Sequence, residues 1–307
     1  MILCCGEALI DMLPRLSTEG EAAFAPKAGG AVFNTAIALG RLGEDVSFFS
    51  GISTDMLGEI LVETLSASQV DSSPLARSDR PTTVAFVKLV HGQASYAFYD
   101  EATAGRLLSE ADLPALADKT RALFFGGISL VNDPAASAYE ALLNREADAR
   151  LIMIDPNIRP GFLTGKEVEY RARIGRMIAK ADIVKLSDED LHWLEGEGPL
   201  ADLAQALLAR GPGLVLITEG AKGATAYSAR GSRQRPAALV SVADTVGAGD
   251  TFNAGFLAGL ARAGRLSKAG LADLSPEETD ACLDLGIRAA AVTVSRAGAN
   301  PPWKHEL

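Results

Sequence analysis

The stretch Asp244-Thr-Val-Gly247-Ala248-Gly249-Asp250-Thr-Phe-Asn-Ala-Gly255 sets small residues directly before a carboxylate, then an apolar helical spacing with Phe252, Phe256 and Leu260 four apart. The first turn of a helix offers unpaired N–H groups and a partial positive charge, and glycines keep side chains from holding an anion away from them. The spacing predicts an anion site. Asp250 suits plain anion binding poorly, because its own charge would repel the ligand. It has two readings: a helix cap, or a base that takes a proton from a hydroxyl attacking a bound phosphoryl group. The helix end favours its ionised form, and enclosure opposes it.

Other groups with chemical capacity are oxygen-rich. Gly29-Gly30-Ala-Val-Phe-Asn34 is a second glycine-led helix start, where a ligand can approach the backbone and Asn34 offers both a donor and an acceptor. Its alternative is a helix that needs glycine for close packing on a sheet. Asp11, just after the first apolar run, is a turn residue or, with Asn34, a pair able to fix sugar-like hydroxyls. Arg159 in Asp155-Pro-Asn157-Ile-Arg159 suits either charge stabilisation beside a phosphoryl group or a salt bridge over a loop. His91, His192 and His305 fall at a predicted turn, on a helix and near the C-terminus, and carry no catalytic expectation. Dinucleotide, Walker, zinc-protease and serine-hydrolase spacings are absent.

The elements that must position these groups follow from periodicity. Near-continuous apolar runs at 1–5, 45–52, 122–129, 150–155, 182–186 and 213–218 alternate with helical spacings near 30–42, 55–70, 134–148, 166–180, 188–194 and 200–210. That alternation predicts a parallel sheet covered on both faces, with ligands beyond the carboxyl ends of the strands. The polar clusters fall at those ends. Residues 82–90 and 94–99 alternate as a hairpin around His91-Gly92-Gln93. The segment 13–27, broken by Pro14, Gly20 and Pro26, has no clear period and reads as an exposed excursion. Short strands are expected near 224–227 and 238–242, and a long helix near 276–293.

Length and 48% hydrophobic composition allow one large core, so a single domain over 1–307 is expected. A net charge of -10 would repel a nucleic-acid backbone or an anionic membrane. Three cysteines without framework spacing argue against disulfides and fit a reducing cytoplasm, and no run approaches membrane-spanning length.

Taken in order, Gly6-Glu-Ala-Leu-Ile-Asp11, Gly29-Gly30-Ala-Val-Phe-Asn34, Asp155-Pro-Asn-Ile-Arg159, Lys185-Leu-Ser-Asp-Glu-Asp190, Thr218-Glu-Gly-Ala-Lys-Gly223 and the Asp244 to Asp250 motif resemble the ribokinase-like sugar kinases, the PfkB carbohydrate kinase family, along nearly the whole chain. Fructokinases within it look nearest. The resemblance implies a doubly wound α/β domain with a small β-sheet lid, formed by about 12–28 and 81–101, that also makes a homodimer. It implies ATP, Mg²⁺ and a monovalent cation such as K⁺. Asp250 would be the base and the Gly247, Ala248 and Gly249 amides the anion hole, with Arg159 beside it. Asp11, Gly29, Gly30, Asn34, Phe98 and Asn157 would hold the sugar. Lys185, Ser187, Thr218, Gly220, Gly223 and Gly249 would line the nucleotide site, Asp190 would serve magnesium through water with Glu189 as a substitute, and Asp244 and Val246 would hold the monovalent cation. Ser187 and Asp190 stand where ribokinases commonly carry Asn and Glu. Asp100 closes the lid strand where ketodeoxygluconate kinases place arginine, which favours a neutral sugar over a sugar acid, ribose and nucleosides remaining as alternatives within the enzyme class and a non-catalytic sugar-binding regulator outside it.

Overall fold

The computed structural model describes residues 1–90 and 93–307, with backbone alone for 87–90 and 93–96. In chain order the first half comprises β1 (Ile2–Cys5), β2 (Leu9–Leu16), β3 (Ala22–Gly29), α1 (Ala31–Arg41), β4 (Val46–Phe49), β5 (Gly51–Ser53), α2 (Met56–Ala67), β6 (Ala76–Ser78), β7 (Val84–Val90), β8 (Gln93–Tyr99), β9 (Ala122–Gly126) and α3 (Ala135–Glu146). There follow β10 (Leu151–Asp155), α4 (Glu167–Ile178), β11 (Ile183–Ser187), α5 (Asp188–Glu195), α6 (Leu200–Leu208), β12 (Leu214–Thr218), β13 (Ala224–Ser228), β14 (Gly231–Arg235), α7 (Ala248–Arg262), α8 (Lys268–Ala272) and α9 (Pro276–Val294).

The large sheet runs β14-β13-β12-β11-β10-β9-β1-β4, parallel from β12 to β4 and antiparallel at β13 and β14. Its pleat explains the apolar runs. Ile2 and Cys4 of β1 enter one core with α1, α7 and α9, while Leu3 and Cys5 enter a second core with α3, α4 and α6. Alternate residues of β9, β10 and β12 divide in the same way, so each strand is apolar on both faces. Among the described residues no helix is long and apolar enough to cross a membrane.

A second sheet, β3-β2-β7-β8, stands apart from the first. The segment read as an excursion is therefore a hairpin, with Met12 opposite Pro26, Pro14 opposite Phe24, and the turn at Gly20, φ 82°. Its prolines and two half-exposed faces hide the alternation that marks a strand. The register puts Asp11, Ala85 and Phe98 on one face and Met12, Phe86, Phe24 and Tyr99 on the other. The turn expected at His91-Gly92-Gln93 lies in part outside the described residues, His91 and Gly92 among them.

At the opposite edge the expected strand near 238–242 does not form. Leu239 is fully exposed, and β14, Gly-Ser-Arg-Gln-Arg, pairs with β13 instead. This polar strand carries no apolar alternation to betray it, and Arg235 fastens it to Asp284 of α9 at 2.7 Å. Asp55 caps α2, accepting from the N–H of Leu57 and Gly58.

Candidate active site

Helix α7 starts at Gly247, which is left-handed at φ 77°, and no side chain caps it. Asp250 is thus not a cap. It stands one turn in, 8% exposed, and its Oδ2 accepts from Asn34 Nδ2 at 2.9 Å. The N–H groups of Gly249 and Asp250 have no acceptor among the described residues, which leaves the first turn able to receive an anion. Burial pushes the Asp250 carboxyl up to about 7, with the nearby Asp155 and Glu7 adding to the rise and Asn34 and Lys185 opposing it. Enclosure outweighs the helix end.

Asn34 is placed by the second glycine start. Gly30 is the N-cap of α1 at φ 115°, and a Cβ there would stand 2.7 Å from the Glu7 carbonyl. Glycine is required at that position on both counts. Glu7, a residue to which no site role was assigned from sequence, takes the N–H of Ala31 at 2.9 Å and of Ser129 at 3.2 Å, joining β1, α1 and the turn after β9. Burial raises its carboxyl above the usual range. Asp11 overhangs Gly29, with Oδ2 2.5 Å from where a Cβ would lie, and burial lifts it to about 6. The run Asp11, Gly29, Gly30, Asn34, Asp250 is therefore continuous in space.

Asn157 adopts φ 43°, unusual for a residue with a side chain, and its N–H is held by Asp155 Oδ1 at 3.1 Å. Arg159 is exposed, forms no ion pair among the described residues and donates to its neighbour's carbonyl; its charge favours ionisation of Asp190. Phe98 meets Phe162 edge to face, ring centroids 4.5 Å apart, so the second sheet touches the loop that follows Arg159. A cavity of about 280 Å³ opens between Glu7, Phe98, Asp100, Arg106, Ser129 and Lys166. It adjoins the line just described without including Asp250.

Ser187 and Thr218, both expected at the nucleotide, end adjacent strands in register. The Ser187 hydroxyl caps α5 by accepting from Asp190 N–H at 3.0 Å. Asp190 turns inward at 8% exposure, and burial raises its carboxyl, helped by Asp155; Glu189 beside it is exposed. Gly220 is exposed at φ 53°, whereas Gly223 is buried at φ 101°, where a Cβ would collide with the Arg235 carbonyl at 2.0 Å. Lys185, expected at the nucleotide, is buried beneath Gly249 and ion-paired to Asp155 at 3.0 Å. Asp244 accepts the N–H of Val246 at 3.0 Å and of Gly298 at 2.9 Å, tying the last loop to the turn.

A covered parallel sheet, an uncapped helix with a buried acid at its strand ends and a second sheet touching the site fit a kinase that phosphorylates hydroxyls. The chain belongs to the pfkB family carbohydrate kinases, whose model matches residues 1–306, and it is a sugar kinase. It is 59% identical over 277 residues to a fructokinase of Rhizobium leguminosarum bv. trifolii, covering 90% of this chain and 85% of that one. Its fold superposes on fructokinase from Xylella fastidiosa with bound ATP, TM-score 0.88, 30% identity, covering 97% and 93% of the two chains. A fructokinase from Vibrio cholerae O395 bound to fructose, ADP and potassium gives TM-score 0.84 at 26% identity, with the same coverage.

Proposed function

We propose that the protein is an ATP-dependent fructokinase in which Asp250 deprotonates the accepting hydroxyl. The observation that carries the reading is a buried, uncapping carboxylate held by Asn34 at the open first turn of α7. Asp11, Gly29, Gly30, Asn34, Phe98 and Asn157 hold the sugar between the second sheet, acting as a lid, and the strand ends. The Gly247, Gly249 and Asp250 amides receive the charge that builds on the transferring phosphoryl group, whereas the Ala248 N–H, expected among them, donates to the Thr245 carbonyl at 3.3 Å. Ser187, Thr218, Gly220 and Gly223 line the nucleotide. Asp190, inward-facing beside Asp155 and Arg159, suits magnesium held through water, which supplies charge neutralisation on the phosphates when bound. Each Asp244 oxygen accepts one N–H and retains a lone pair, which suits a monovalent cation shared with the Val246 carbonyl.

Fructose is chosen over a sugar acid on two grounds, the 59% identical fructokinase and the wall of the adjoining cavity. That wall carries three acids, Glu7, Asp100 and Glu101, against two cations, Lys166 and Arg106, the latter already 3.7 Å from Asp100, so an added carboxylate would meet an excess of like charge. A coupled assay of ADP release over fructose, ribose, glucose and ketodeoxygluconate is expected to give the highest kcat/KM with fructose. A higher value for any of the others, or no sugar-stimulated turnover at all, overturns the reading.

The outer face of the lid supports a dimer. Leu16, Phe24 and Tyr99 are 76, 51 and 62% exposed, and Phe24, Phe86 and Tyr99 form an edge-to-face ladder along it. A contiguous apolar face of this kind marks an interface. Light scattering is expected to show a dimer that Phe24→Glu splits; a monomeric parent protein contradicts it.

A further inference from the structure

Behind the α7 turn lies a buried ion pair to which the reading above gives no task. Lys185 on β11 and Asp155 at the end of β10 are 4 and 3% exposed. Asp155 Oδ2 accepts from Lys185 Nζ at 3.0 Å and from Asn253 Nδ2 of α7 at 2.7 Å, while Oδ1 accepts the N–H of Asn157. One carboxylate therefore joins two strands, the helix and the turn that carries Asn157. The ammonium also lies against the turn, since a Cβ built on Gly249 would stand 3.1 Å from Nζ. Buried pairs contribute little to stability compared with apolar packing, because desolvating each ion costs several kcal/mol. Two charges kept at the rim of an anion site call for a functional explanation.

We propose that Lys185, held by Asp155, is a positioning residue for phosphoryl transfer, fixing the first turn of α7 from behind and setting positive charge beside Asp250 and the turn amides. The proposal rests on Asp250 acting as the base. Asp155 and Glu7 oppose ionisation of Asp250, while Lys185 and the Asn34 amide favour it; Asp190 and Arg159 flank the pair. Lys185 and Asp155 thus act on Asp250 with opposite sign. Removing the cation alone takes away the group that favours ionisation of Asp250 and leaves Asp155, with its bonds from Asn253 and Asn157, in place beside it.

The test compares Lys185→Met with the double variant Lys185→Met/Asp155→Asn, using fructose and ATP. Lys185→Met is expected to lower kcat about 10²-fold, as loss of a preorganised charge at a transferring group does, with the fructose KM within about threefold. Its acid limb of kcat/KM should move up by about one pH unit. The double variant should return that midpoint to within about half a unit of the parent value while kcat stays low. A midpoint unmoved in Lys185→Met, with loss only of melting temperature, marks a structural pair and overturns the proposal. Should Lys185→Met not fold, the double variant, which buries no unpaired charge, decides alone: low kcat at an unchanged fructose KM supports the proposal, and parental kcat overturns it. Failure of the base assignment shows separately, as turnover retained in Asp250→Asn.

Discussion

Asp250→Asn is expected to fold, to bind fructose and to lose phosphoryl transfer by roughly 10²- to 10⁴-fold, the range typical of a lost general base. The substitution keeps shape. An amide oxygen can still accept from Asn34 Nδ2, now 2.9 Å from the carboxylate, and no cap is lost because none exists. Stability should rise. A carboxyl ionising near 7 in the folded state and near 3.8 when unfolded weakens the fold progressively as pH climbs from about 4 to 7, and holds that cost above 7. Removing it should stabilise the protein at pH 8 by at least about 1 kcal/mol, with little change at pH 4. The parent protein's kcat/KM should fall about tenfold per unit below pH 7, since the base must be ionised. Single-turnover assays, calorimetric sugar binding and melting curves at the two pH values measure all of this. Turnover within tenfold of the parent would remove Asp250 from the mechanism.

Why a stabilising change would be absent from the natural sequence is then clear: the same enclosure that sets Asp250 near neutrality makes it costly. The anion turn and the parallel sheet could be read in advance because both are local. Leu151 to Ile154 is apolar on both faces over consecutive residues, and Gly247 to Asp250 is contiguous. What could not be read depends on partners far along the chain. Lys185 looked like a strand-end group open to nucleotide, and only the pairing of β10 with β11 shows that Asp155, 30 residues earlier, takes its charge. Glu7 has no local mark, because its ligands, Ala31 and Ser129, lie 24 and 122 residues away. The hairpin from Leu9 to Gly29 was obscured by prolines tolerated on a sheet with little burial, and β14 by its charge.

Gly247→Ala is expected to lower kcat on the order of 10²-fold, raise the ATP KM and leave fructose binding in place. The residue is left-handed at φ 77°, a conformation that costs a residue with Cβ about 1–2 kcal/mol. The added methyl would also stand 2.7 Å from Ala299 Cβ and 3.0 Å from its Cα. That neighbour cannot move freely, since the adjacent Gly298 N–H is held by Asp244. The turn must yield instead, and the first N–H groups of α7 shift from the phosphoryl position. Gly264 provides the control. It follows the same helix at φ 69° with nothing within 4 Å of its would-be Cβ. Gly264→Ala therefore imposes similar backbone strain far from the site, and should lower the melting temperature while kcat and both KM values stay parental. Equal kinetic losses in the two variants would mean that strain in α7, and not the position of its first amides, limits transfer.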